Sequence, residues 1–163
     1  MEEKRVDVSL DLDVLDELMV KAFEDFMTSH KEINVFKITF DGFKMMYLTS
    51  SGKKRLEAKD SVLIIREKAS SKFERFEENY EYAMKCNSLL CQSIKLNTKT
   101  IMSQYMFLSE EDKAEYDEIL DSFKQELTFW EGLQKRLNDA RKEFVLDNDF
   151  DIDFIDSRDL EEE

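Results

Sequence analysis

Residues 33–49, Ile-Asn-Val-Phe-Lys-Ile-Thr-Phe-Asp-Gly-Phe-Lys-Met-Met-Tyr-Leu-Thr, decide the fold class. The stretch from Ile33 to Phe40 is rich in β-branched and aromatic residues, the composition of a strand. Asp41-Gly42 then reads as a tight hairpin turn, because that pair tolerates the positive φ such a turn needs. Phe43 to Thr49 supplies the returning strand, and Ser50-Ser51-Gly52 ends it. Upstream, Val6, Val8, Leu10 and Leu12 alternate with polar residues over 5–12, which predicts a third, half-buried strand. Between them, Val14, Leu15, Leu18, Ala22, Phe23 and Phe26 fall at helical spacing over 14–31. Residues 1–52 are therefore expected to form a β-α-β-β head, and the chain to be α+β but helix-dominated.

Downstream the period changes. Ile65, Ala69, Phe73, Phe76, Tyr80, Ala83, Leu90, Ile94, Ile101 and Tyr105 recur mostly at three or four residues, the stripe of a long helix. Asn87, Ser93, Asn97, Thr98 and Thr100 are indifferent helix formers, so a break near Asn97-Thr98 is weighed against a continuous helix of low local stability. Ser109-Glu110-Glu111-Asp112 reads as the next helix start, with the acids where a helix N-terminus favours them. A second stripe follows at Tyr116, Leu120, Phe123, Leu127, Trp130, Leu133, Leu137, Ala140 and Phe144. A short connection between two such stripes predicts an antiparallel helical hairpin over 53–144. Coiled-coil-like spacing also admits pairing between chains, a homodimer through this hairpin.

Charge marks the third segment. The chain of 163 residues carries a net −14. From Val145 to Glu163, nine carboxylates against Arg158 account for −8 of it. Over 145–163 the acids alternate with Phe150, Ile152 and Phe154, which suits either strand addition to a sheet edge or a disordered acidic-hydrophobic peptide. Asp147, Asp149, Phe150, Asp151, Ile152, Asp153, Phe154 and Asp156 are the expected partner-binding residues: aromatics for a pocket, carboxylates to steer toward a basic rim. In composition, over fewer than twenty residues, this tail resembles the acidic tails of single-stranded-DNA-binding proteins and the clamp-docking tails of some phage transcription factors. The basic cluster Lys53, Lys54, Arg55 and Lys59 reads as a solvated helix start, an internal mate for the tail, or a contact for an acidic partner.

Several chemistries lack their residues. His30 is the sole histidine, and Cys86 and Cys91 are the only cysteines. No four-ligand zinc site of the Cys/His type can be assembled from them within one chain. Glu-x-x-His, which a di-iron bundle repeats on two helices, is absent even once, since Met27 stands three residues before His30. No nucleophile elbow or phosphate-cradling glycine loop is present. Catalysis is not expected, and neither is a metal or cofactor. With no apolar run long enough for a membrane span and no hydrophobic leader, the expected setting is cytoplasmic and reducing. The functional expectation is a non-catalytic interaction protein that binds a basic protein surface through its acidic face and tail. A viral-type inhibitor or adaptor, even a nucleic-acid mimic, is a subclass of it, with direct nucleic-acid binding disfavoured. The alternative is a homo-oligomeric structural or chaperone-like helical protein.

Overall fold

The computed structural model describes residues 2–161, with side chains from Leu12 onward; Met1, Glu162 and Glu163 lie outside the described residues. The chain runs α1 (Glu2–Thr49), α2 (Gly52–Tyr105), α3 (Glu110–Lys142), α4 (Leu146–Asp149) and α5 (Ser157–Glu161), and no strand occurs among the described residues. The expected β-α-β-β head over 1–52 is thus overturned. Residues 5–12, 33–40 and 43–49 are all helical, and Asp41-Gly42 lies in the interior of α1 rather than at a turn. The fold class is all-α. The side chains of Val6, Val8 and Leu10 lie outside those described.

The physical reason is visible in 33–49 itself. Ile33, Phe36, Phe40, Phe43 and Tyr47 are spaced at three, four, three and four residues, a helical face hidden among β-forming residue types. Ile33, Phe40 and Tyr47 are buried. Their burial outweighs both the strand propensity of the segment and the cost, about 1 kcal/mol, of a glycine inside a helix. The true turn comes later. Gly52 has φ +62°, a left-handed conformation that glycine adopts without a Cβ penalty, and it opens α2 directly after Ser50-Ser51.

Two compact units divide the chain: Met1–Glu24 with Tyr80–Asp139, and Asp25–Asn79 with Ala140–Glu163. In the first, α2 and α3 run antiparallel. Tyr80 bonds Asn138, Asn87 Nδ2 donates to the Trp130 carbonyl at 2.8 Å, and Lys113 lies 5.6 Å from the Tyr105 ring centre. Met19, Ala22, Ala83, Leu90, Ile94, Trp130, Leu133 and Leu137 are buried in this unit. Helix α2 passes through Asn97-Thr98 without a break, and both side chains bond back to carbonyls four residues earlier. Helix α3 begins as its sequence reads: the Asp112 N–H donates to Ser109 Oγ at 3.2 Å, with Glu110, Glu111 and Asp112 in the first turn.

In the second unit, α1 and α2 pack antiparallel around Phe26 and Phe76, stacked at 5.0 Å, with Lys72 paired to Glu32 at 3.2 Å. The segment from Ala140 to Glu161 covers this helix pair. Its acids serve as turn formers: the Asp153 N–H donates to Asp151 Oδ1 at 2.8 Å, the Arg158 N–H to Asp156 Oδ1 at 2.9 Å, and the Val145 N–H to Asp149 Oδ2 at 2.6 Å. Short Asp side chains offer the backbone such local partners in place of a ladder, so alternation of acid and apolar residue here produces turns instead of a strand.

Candidate functional site

The expected partner-binding residues fall into two groups. Phe150 is fully buried, edge-on to Phe40 at 5.2 Å and to Phe73 at 5.9 Å. Phe154 sets its ring against Phe40 and Tyr47 and is half-buried, as is Ile152. The apolar side chains of the tail therefore occupy this chain's own α1–α2 surface. Asp147, Asp151 and Asp153 face solvent, while Asp149 and Asp156 are half-buried.

The basic residues around the tail explain how so acidic a segment packs. Arg66 Nε donates to the Phe150 carbonyl at 2.8 Å, and Lys37 Nζ to the Asp149 carbonyl at 2.8 Å. Arg55 Nε reaches Asp159 Oδ2 at 3.0 Å, and the buried Lys59 amine donates to the Asp159 carbonyl at 3.2 Å. Of the cluster at 53–59, Arg55 and Lys59 are thus mates of the tail, and Lys53 and Lys54 are exposed. The Tyr47 hydroxyl and the Arg55 guanidinium hold the Asp159 carboxyl below its ordinary value, and the Arg158 hydrogen bonds bring Asp156 down to about 2. These carboxylates stay ionised where they dock.

A second feature lies in the first unit. A cleft of about 280 Å³ is lined by Leu12, Leu90, Phe123 and Trp130 among its apolar residues, with Asn97 and Ser122 beside them. Three carboxylates, Asp13, Asp16 and Glu126, complete the lining. They come from two helices, two from α1 and one from α3. Among the described residues none of the three has a cation within ion-pair distance, and no group of His, Cys, Asp and Glu is placed to hold a metal ion. Spread carboxylates over an apolar wall suit a long cationic side chain, whose methylenes take the wall and whose charged end takes the carboxylates.

Sequence reading missed this cleft. The expected helix covers only 14–31, and nothing in the sequence gives the face that bears Asp13 and Asp16 a neighbour. Only the long α1 brings that face beside α3. The two-helix origin of the carboxylates leaves no local motif that sequence alone displays.

The cysteines are placed as packing residues. Both are buried and free, and burial raises the Cys91 thiol. The Cys91 sulfur donates to Asn87 Oδ1 at 3.6 Å. Among the described residues no helix is long and apolar enough to cross a membrane. Comparison of the chain with protein-family models, curated proteins and solved structures gives no match.

Proposed function

We propose that the chain is a non-catalytic binding protein that engages a basic protein surface, with the Asp13–Asp16–Glu126 cleft receiving an arginine or lysine side chain from that partner. The observation that carries this reading is the juxtaposition, in one concavity, of three carboxylates that have no cation within ion-pair distance among the described residues and the apolar wall of Leu12, Leu90, Phe123 and Trp130. The surrounding charge supports it. From Glu110 to Asp121, α3 carries seven carboxylates against Lys113 alone, all seven of them exposed. Such a field steers a basic partner to the cleft and fixes its orientation, and a basic surface that otherwise holds nucleic acid would be a suitable target.

The test uses a hexa-arginine peptide as the basic probe, at about 150 mM salt, where surface charges beyond about 8 Å are largely screened. Trp130 is the only tryptophan and lines the cleft, so its fluorescence reports occupancy. A saturable change is expected, weakened at least about tenfold in the triple variant Asp13→Asn, Asp16→Asn, Glu126→Gln. The charge-matched triple Glu111→Gln, Glu115→Gln, Glu118→Gln should keep most of the affinity. Equal weakening in both triples would mean diffuse attraction to an acidic protein and would overturn the cleft as the site.

A further inference from the structure

In the second unit, the last segment of the chain lies on the α1–α2 pair in the manner of a bound peptide. Its own backbone bonds are local: the Asn148, Phe150 and Ile155 amides donate to carbonyls three or four residues earlier. Of residues 145–160, Phe150 and Ile155 alone are fully buried. The helix pair grips the segment by its main chain. Arg66 Nε donates to the Phe150 carbonyl at 2.8 Å, Lys37 Nζ to the Asp149 carbonyl at 2.8 Å and Lys59 Nζ to the Asp159 carbonyl at 3.2 Å. Every residue carries a carbonyl, so these anchors fix the path of a chain without reading its sequence.

Side chains are read at two rings. Phe150 enters between Phe40 and Phe73. Four positions on, Phe154 lies against Tyr47, with Lys44 Nζ 5.0 Å from its ring centre. By contrast, the Asn148 and Asp153 side chains face solvent. The surface beneath the segment is also cationic. Lys37, Lys44, Arg55, Lys59 and Arg66 all contact it, against two carboxylates, Asp41 at 2.9 Å from Lys37 and Asp60 at 3.1 Å from Lys59. In a chain of net −14 this reverses the prevailing sign, and it favours an acidic occupant.

We propose that this α1–α2 surface is a binding site for an acidic peptide of another protein with two aromatic side chains four positions apart, and that residues 145–160 are its resident occupant. The choice of occupant rests on the segment seated there, which displays the chemistry the site accepts, and on the charge complementarity. A tethered occupant competes at high effective concentration, so an incoming peptide binds with its affinity reduced by the fraction of time the site is open. The site lies apart from the cleft in the first unit and takes the opposite charge. It stands or falls independently of that cleft.

Fluorescence anisotropy of a fluorescein-labelled peptide of residues 145–161, titrated with the full chain, tests it. The peptide is expected to bind the Phe150→Ala chain, whose own segment is weakened, about a hundredfold more tightly than the natural chain. Adding Arg66→Gln to that chain should remove most of the gain, since Arg66 holds the Phe150 carbonyl. A peptide carrying Asp147→Glu, Asn148→Ser and Asp153→Glu should bind within about threefold of the natural one, whereas Phe150→Ala with Phe154→Ala in the peptide should weaken it at least about a hundredfold. Circular dichroism verifies that the chains remain helical. Should Phe150→Ala unfold the protein, the chain carrying Asp156→Asn and Asp159→Asn keeps both rings and should show a gain of about tenfold. No gain in either weakened chain overturns the proposal. Equal binding of the peptide without its two rings also overturns it, because it would mean diffuse attraction to the cations.

Discussion

The Tyr47 hydroxyl donates a hydrogen bond to the Asp159 carboxylate, joining α1 to α5 across 112 residues of chain. The same oxygen of Tyr47 accepts from Arg55 Nη2 at 2.9 Å and from the Asp156 N–H at 2.9 Å. Tyr47 is itself almost fully buried, its ring against Phe154 and under the Arg55 guanidinium. One phenol thus satisfies a carboxylate, a cation and a backbone amide where the end of the chain meets the helix pair. Removing the hydroxyl leaves the other three groups in place but short of a partner.

Substitutions along this seam should therefore rank by what they leave behind. Phe150→Ala empties a fully buried site between Phe40 and Phe73 and should cost about 3–5 kcal/mol. Tyr47→Phe should cost about 1–3 kcal/mol, the range for a buried partner left unsatisfied. Asp153→Ala, at an exposed position of the same tail, should change stability by no more than about 0.5 kcal/mol. Urea unfolding followed by circular dichroism measures all three. Equal, small effects at Phe150 and Asp153 would contradict the packing described.

Acid should loosen the seam in a defined direction. Asp156 titrates at about 2 in the folded chain against an ordinary 3.8, and Asp159 is also lowered, so the unfolded chain binds more protons between those values. Their contribution is complete above about pH 4 and is lost as pH falls toward 2. The urea midpoint of the natural chain should fall through this window more steeply than that of Asp156→Asn, Asp159→Asn. Parallel profiles would show that these carboxylates are not engaged.

In the first unit, Asn87 links α2 to α3. It is fully buried, donates to the Trp130 carbonyl, and accepts from Cys91. A buried amide of this kind fixes the register of packed helices. Asn87→Ala should destabilise by about 1–3 kcal/mol and shift the emission of Trp130, whose carbonyl loses its donor. An unshifted spectrum with full stability would remove Asn87 from that role.

Both thiols should be silent in the folded state. Cys86 and Cys91 are buried, and burial, with Glu131 adding to it, raises Cys91 so that it stays protonated. A thiol-specific reagent such as a disulfide dye should label neither in native buffer and both in denaturant. Rapid native labelling would place at least one of them at the surface.

The parts of the fold that were legible in the sequence are those with one dominant period. The stripe from Ile65 to Tyr105 and the capped start at Ser109 describe α2 and α3 closely, because every step of three or four residues there points to the same buried side. The stretch 33–49 carries two signals at once. Two of its β-branched residues, Val35 and Ile38, sit on the outward side of α1, while Ile33 joins Phe40 and Tyr47 on the helical face that does the packing. Propensity describes the first set and burial decides by the second. The tail posed the same difficulty in another form. Its period of two comes from aspartates that bond nearby amides, and the surface that Phe150 enters exists only once α1 and α2 are long helices. The cleft carboxylates were legible as residues but not as a group, since Asp13 and Glu126 stand 113 positions apart.

The central claim is that residues 145–160 are a packed part of the second unit, with Phe150 in its core. Hydrogen–deuterium exchange on peptides from this segment tests it most directly. The Phe150 amide donates to the Leu146 carbonyl at 3.0 Å, the Ile155 amide to the Ile152 carbonyl at 3.0 Å and the Asp156 amide to the Tyr47 hydroxyl. These amides should exchange at least about a hundredfold more slowly than in an unstructured peptide, and Phe150→Ala should release them. Exchange of the whole segment at unstructured rates in the natural chain would contradict the account and return Phe150 and Phe154 to the partner-binding role the sequence alone suggests.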